Sequence, residues 1–193
     1  MITKFTLFLF CFSAALANAS LIQPEESPFV LESYRVQFHV KRDGHHRMEV
    51  RSRYRIQTDE GRNLVGVLTV PYNSHTDQAR ILTAKTITGA KEFPVLAKQI
   101  ADKELRQDQV NGFDSVRNKI ITFPQVQIGS EIILEYAINS SEFPYVDSWG
   151  SFFAMENVLV RDLQIEVHSE LPLFWQIHPS DLFKVDTSSR HHL

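Results

Sequence analysis

The run Tyr34-Arg35-Val36-Gln37-Phe38-His39-Val40, the tripeptide Arg42-Asp43-Gly44 and the run Met48-Glu49-Val50-Arg51 together decide the fold. Apolar and polar residues alternate with period two. Tyr34, Val36, Phe38 and Val40 fall on one side, and Arg35, Gln37, His39 and Lys41 on the other, which is the pattern of a half-buried strand. Met48, Val50, Tyr54 and Ile56 repeat it, interrupted by Ser52, with Glu49, Arg51, Arg53, Arg55 and Gln57 outward. The connection fixes the register. A two-residue turn at Asp43-Gly44 would set Phe38 opposite Glu49, mixing an apolar face with a charged one. A three-residue loop, Arg42-Asp43-Gly44, sets Phe38 opposite Met48 and Val36 opposite Val50. It also puts glycine at the left-handed position that such loops require. The sequence therefore predicts a hairpin with this register.

Further strands are expected along the chain. Asn63 to Val70 is apolar and stops at Pro71, Arg80 to Thr88 stops at Gly89, and Val116 to Phe123 stops at Pro124. Glu131 to Asn139 carries Ile132, Leu134, Tyr136 and Ile138 on one face. Val158 to His168 shifts phase at Arg161-Asp162, as a bulge would. Leu173 to Ile177 is a closing strand. Residues 95–111 fit either a helix, on the spacing of Leu96, Ile100 and Glu104, or a short strand and loop. About eight short strands between turn signals predict an all-β fold, an antiparallel β-sandwich.

Residues 1–19 read as a signal peptide. Lys4 gives the basic start, Phe5 to Leu16 the apolar segment and Ala17-Asn18-Ala19 the small-x-small cleavage pattern. The apolar run is shorter than the roughly 20 residues that span a bilayer. An uncleaved anchor is the alternative. The expected organisation is a 20–28 linker, a 29–179 β-sandwich domain and a 180–193 C-terminal tail. The location is exported, either periplasmic or secreted. Cys11, the one cysteine of 193 residues, lies inside the leader. The remaining chain has no thiol for a disulfide, a thiolate metal site or a cysteine nucleophile. Without Lys4 it holds 19 basic against 23 acidic residues, a balance with no footprint for nucleic acid.

Two constellations are candidates for ligand binding. Arg47, Arg51, Arg53 and Arg55 share one strand face, with Arg35 and His39 placed beside them by the hairpin register. A guanidinium row can grip anionic glycan or lipid. The structural alternative is a solvated face whose arginines are matched by Glu49 and neighbouring carboxylates. Tyr145, Trp149 and Phe152 belong to an aromatic segment with Phe143 and Phe153. It serves either as a binding lip or as a lid on the sandwich. The histidines show no zinc spacing, and Gly150-Ser151-Phe152 lacks the setting of a nucleophile elbow. No catalytic residue, cofactor or metal is assigned.

Three stretches carry a family resemblance: Tyr54-Arg55-Ile56 with Gly61 beyond, Ala84-Lys85-Thr86-Ile87-Thr88-Gly89, and Ile120-Ile121-Thr122-Phe123-Pro124-Gln125-Val126-Gln127-Ile128-Gly129-Ser130-Glu131-Ile132 with Tyr136 beyond. In order and spacing the chain resembles the domain of unknown function found N-terminal to transglutaminase-like domains in exported bacterial proteins. The resemblance implies a β-sandwich of the bacterial envelope with no activity of its own, the chemistry belonging to a following papain-like domain. This chain stops at Leu193, so the expectation is a stand-alone version or a truncated product. Read without the family, Pro124 ends a strand, Gly129-Ser130 turns into the next, and Val126 and Ile128 tuck beneath the connection. The expected function is a non-catalytic exported domain that binds a polypeptide or assists a transglutaminase-like peptidase. The alternative is an anionic glycan or lipid binding module using the arginine row. A small hydrolase with an unrecognised site ranks last.

Overall fold

The computed structural model describes residues 27–104, 115–140, 151, 159–174, 176 and 184–186. The leader, most of the linker and most of the C-terminal tail lie outside these residues. In chain order the elements are β1 (Phe29–Val40), β2 (His46–Ile56), α1 (Asp59–Val65), β3 (Val67–Asn73), β4 (Asp77–Thr88) and β5 (Lys91–Pro94). A single 3-10 turn (Ala97–Gln99) follows, then β6 (Ile100–Glu104), β7 (Val116–Thr122), β8 (Glu131–Ser140), β9 (Leu159–Val160) and β10 (Leu163–Ser169). They form two sheets. The larger has the order β10-β1-β2-β8-β4-β5, with β9 also on β1, and the smaller has the order β3-β7-β6.

The hairpin has the expected register: Val36 faces Val50 and Phe38 faces Met48. Its loop closes as the sequence requires. The Lys41 N–H donates to the His45 carbonyl (2.9 Å), the Gly44 N–H donates to the Lys41 carbonyl (3.0 Å), and Gly44 has φ 83°. Alternation carries the apolar side inward. Ile56, Ile132, Leu134 and Ile138 of the larger sheet meet Val70 and Ile121 of the smaller, with Val65 and Phe123 between. Each such buried side chain contributes about 1.5–3 kcal/mol. A second cluster, Val36, Phe38, Val40 and Val50, packs with Val167 of β10. Tyr34, Tyr54 and Tyr136 share the inner face. Burial raises all three phenol pKa values, and Tyr34 and Tyr136 are hydrogen-bonded to each other.

The all-β sandwich expected from the sequence is present, with several local differences. The larger sheet is mixed, because β9 and β10 run parallel to β1. The phase break at Arg161-Asp162 separates these two strands. The Asn63–Val70 strand begins only at Val67, because Asn63, Leu64 and Val65 belong to α1. Thr58 caps that helix by accepting the Gly61 N–H (3.1 Å), and Asp59 and Glu60 occupy its first turn, where acidic side chains suit the helix dipole. Nor does Pro71 stop β3, which continues to Asn73. β3 is an edge strand, where the missing N–H costs no ladder bond. Of 95–111, the described part is the 3-10 turn and β6, not a longer helix; residues 105–111 lie outside the described residues. Leu173 and Phe174 are not in a strand, and Phe174 is fully exposed. The aromatic segment from Phe143 to Phe153, including Tyr145, Trp149 and Phe152, also lies outside the described residues except for Ser151.

The Phe123–Ser130 connection carries the chain from the smaller sheet to the larger. Phe123 and Val126 pack into the core, while Ile128, expected beneath the connection, is exposed. Gly129 turns with φ 84° and donates its N–H to the Ile56 carbonyl (2.8 Å). Fully buried Ser130 accepts the Gln127 N–H at its Oγ (3.0 Å) and shares a hydrogen bond with the Thr88 hydroxyl (2.8 Å).

Candidate functional site

Because the inner side of the larger sheet is apolar, strict alternation turns its polar residues onto the other face. Strand pairing sets them in rungs. One rung runs Gln164, Arg35, Arg51, Glu135 across β10, β1, β2 and β8. The next runs Glu166, Gln37, Glu49, Ala137, and the third His168, His39, Arg47, Asn139. Arg53 lies opposite Ile133, and Arg55 opposite Glu131. The four arginines of β2 therefore share one face, as expected, with Arg35 and His39 beside them.

Most of this row is already matched by acceptors. Arg47 donates from Nε to Glu49 (2.7 Å) and from Nη1 to Asn139 (3.0 Å). Arg53 donates to Glu131 through Nε (3.0 Å) and Nη2. Arg55 bonds to Glu32, the residue bulged out of β1, and Arg161 reaches the same carboxylate at 3.4 Å. Arg51 differs: among the described residues its nearest carboxylate, Glu49, is 3.8 Å away, too far for a hydrogen bond, and Glu135, directly across on β8, accepts from the Thr83 hydroxyl (3.2 Å). Arg35 makes a single 3.3 Å contact with Asp162. The side chains of Arg51 and Arg35 are 62% and 58% exposed.

Between these two arginines lies an open pocket of about 160 Å³, lined by Arg35, Gln37, Glu49, Arg51, Gln164, Glu166 and Val36. Val36 is buried on the inner face, so its contribution here is main chain. The lining carboxylates are engaged. Glu49 accepts from Arg47, and Glu166 accepts from the amides of Gln37 (3.3 Å) and Gln164 (2.5 Å). The guanidinium groups of Arg35 and Arg51 hold the donors with capacity to spare. The sequence pattern placed Arg35 and Arg51 side by side. It missed Gln164 and Glu166, because alternation assigns a residue to a face but does not name its strand's neighbour.

Two other polar groupings stand out. On the third rung, His39 and His168 stack with ring centres 5.0 Å apart. On the smaller sheet, Asp102 accepts from Lys119, Tyr72 and Arg117, each at 2.8 Å. The Lys119 ammonium, aided by Tyr72 and Arg117 against the opposing effect of desolvation, holds the Asp102 carboxyl down to about 2. Among the described residues no group of three histidine, cysteine, aspartate or glutamate side chains is arranged to hold a metal ion. None of their helices is long and apolar enough to cross a membrane.

A family model described as a domain of unknown function with a solved structure, DUF3857, matches residues 42–191. No curated protein matches the chain. Among solved structures, the fold is similar to that of a candidate protease from Parabacteroides distasonis, with TM-score 0.57 and 13% identity. That match covers 61% of this chain and 24% of the other, so the chain spans at most about a quarter of that protein.

Proposed function

The chain belongs to the DUF3857 family of domains of unknown function, and from that premise we propose an exported, non-catalytic accessory domain. It binds polypeptide and works beside a transglutaminase-like peptidase. The larger protein of similar fold is described as a candidate protease, which fits a polypeptide as partner. The cysteine content fits too, since Cys11 is the chain's single thiol and sits in the proposed leader.

The observation that carries the reading is the outer edge of β10. Natural sheets guard their edges with proline, charge, bulges or short strands. β3 carries Pro71, and β6 contains Asp102, Lys103 and Glu104. β5 is four residues long, and beyond it β4 is interrupted by a bulge at Leu82. β10 has seven residues with neither proline nor lysine, and among the described residues it pairs only with β1. An extended peptide can add to such an edge through main-chain hydrogen bonds.

The pairing shows which groups are available. Tyr34 N–H donates to the Asp162 carbonyl, and Glu170 N–H to the Val40 carbonyl. In a parallel ladder that phase turns the N–H groups of Gln164, Glu166 and His168 toward β1, and those of Leu163, Ile165 and Val167 outward. Ile165→Pro should thus remove an outward donor and spare the ladder, whereas Gln164→Pro should break the ladder. The test is binding of unfolded, carboxymethylated casein by the purified chain. Native protein should bind, Ile165→Pro should bind at least tenfold more weakly with its melting temperature nearly kept, and Gln164→Pro should lose stability. Undiminished binding by Ile165→Pro would reject the edge as the site, and absence of binding by the native chain would reject the function.

A further inference from the structure

We infer that Arg35 and Arg51 together seat a carboxylate carried by a polypeptide. The inference rests on the polypeptide-binding reading above and names the chemical group recognised. Three observations lead to it. First, the two arginines lie directly opposite each other on β1 and β2, where like charges are destabilising; an anion between them reverses the sign of that interaction. Second, Arg47, Arg53 and Arg55 spend donors on Glu49, Glu131 and Glu32, whereas among the described residues Arg51 makes no hydrogen bond to a carboxylate and Arg35 makes one long one. Third, a pocket of about 160 Å³ opens between these two side chains, and its carboxylates are already occupied.

The surroundings favour a polypeptide over a polyanion. A chain of repeated negative charges laid along β2 would meet Glu49 and Glu131, each beside an arginine it already pairs, and Glu135, directly across from Arg51. A single carboxylate in the pocket meets two available guanidinium groups, with the Gln37 and Gln164 amides beside them to match peptide groups. The pocket also adjoins β10, whose side chains Gln164 and Glu166 form its wall, so a peptide lying on that edge brings its side chains or its end within reach. The carboxylate can be a side chain or a C-terminus, since both offer the same two oxygens to an arginine.

The test uses the purified full chain and three unlabelled, N-acetylated peptides, read by isothermal titration calorimetry at low salt. One is Gly-Gly-Ala-Ala with a free C-terminus, the second is its amide, and the third is an amide with glutamate replacing the first alanine. At least one carboxylate-bearing peptide should bind tenfold or more tightly than the plain amide, and which one does so identifies the source. Arg35→Gln and Arg51→Gln should each weaken that binding about tenfold, as expected for loss of a charge-assisted hydrogen bond. Arg53→Gln, the same charge change outside the pocket, should leave it unchanged. Without peptide, Arg51→Gln should melt within a few degrees of the native chain, because relief of the Arg35 contact offsets the lost attraction to Glu49 at 3.8 Å. Equal binding of the amide, equal loss in Arg53→Gln, or no binding of either carboxylate peptide overturns the seat. Stronger binding of trigalacturonate through the same two arginines overturns the polypeptide assignment. If casein binding nevertheless persists, the broader function stands without the seat.

Discussion

A methyl group on Gly61 would sit 1.8 Å from the Pro28 carbonyl oxygen. That oxygen accepts the N–H groups of both Gln57 and Thr58 (3.1 Å each), so it is held over the start of α1 and cannot retreat cheaply. Gly61 is therefore needed for close approach of two backbones. Gly61→Ala is expected to cost about 1–3 kcal/mol by overpacking, read as a lower urea midpoint with an unchanged slope. The sequence singled out Gly61 through a family motif without showing what it touched, because its neighbour is 33 positions earlier. The arginines were more legible. Their common face follows from alternation alone, but Arg51 having, among the described residues, no carboxylate in hydrogen-bonding range does not. That depends on which side chain Glu49 chooses, and it bonds to Arg47 at 2.7 Å and stays 3.8 Å from Arg51.

The β1–β2 hairpin was legible to the residue because two constraints agreed: matching faces and a glycine where φ must be positive. α1 was not, since its Leu64 and Val65 run straight into the apolar start of β3 and the whole run reads as one strand. The Phe123–Ser130 connection was legible as punctuation but not as a clasp. Ser130 ties it down from inside: its Oγ holds the Gln127 N–H, its carbonyl accepts the Ile56 N–H, and its hydroxyl contacts Thr88. Ser130→Ala removes the partner of two part-buried groups, the Gln127 N–H and the Thr88 hydroxyl, so it is expected to lower stability by about 1 kcal/mol. Chemical denaturation checks the size. Hydrogen exchange checks the place, since the Gln127 amide should lose protection first.

Across the whole molecule, stability should fall off on both sides of a broad pH plateau. Asp102 has a folded pKa of about 2 against 3.8 for the free side chain. Its contribution is complete above about pH 4 and is lost as pH falls toward 2. With its side chain about one-third exposed to screening water, that contribution is about 1 kcal/mol, and Asp102→Asn should flatten the acid limb. Tyr34, Tyr54 and Tyr136 have raised pKa values, mainly from burial. Their neutral forms favour the folded state, so stability should be retained below pH 10 and decline above it. In thermal melts from pH 2 to 11, an acid limb unchanged in Asp102→Asn would reject the first assignment, and stability kept above pH 10 would reject the second. At this scale the two-layer architecture was readable, but the parallel pairing of β1 with β10 was not, because a strand's alternation carries no address for its neighbour. That pairing has a kinetic consequence. Gln37 contacts Glu166, 129 positions later, so a chain delivered N-terminus first closes β1 onto β2 early and leaves its other flank bare. At 5–20 residues per second, the wait is on the order of ten seconds. Throughout it, the main-chain donors and acceptors on the β10 side of the nascent strand have no ladder to join, and an escort or a substitute ribbon has time to take the place.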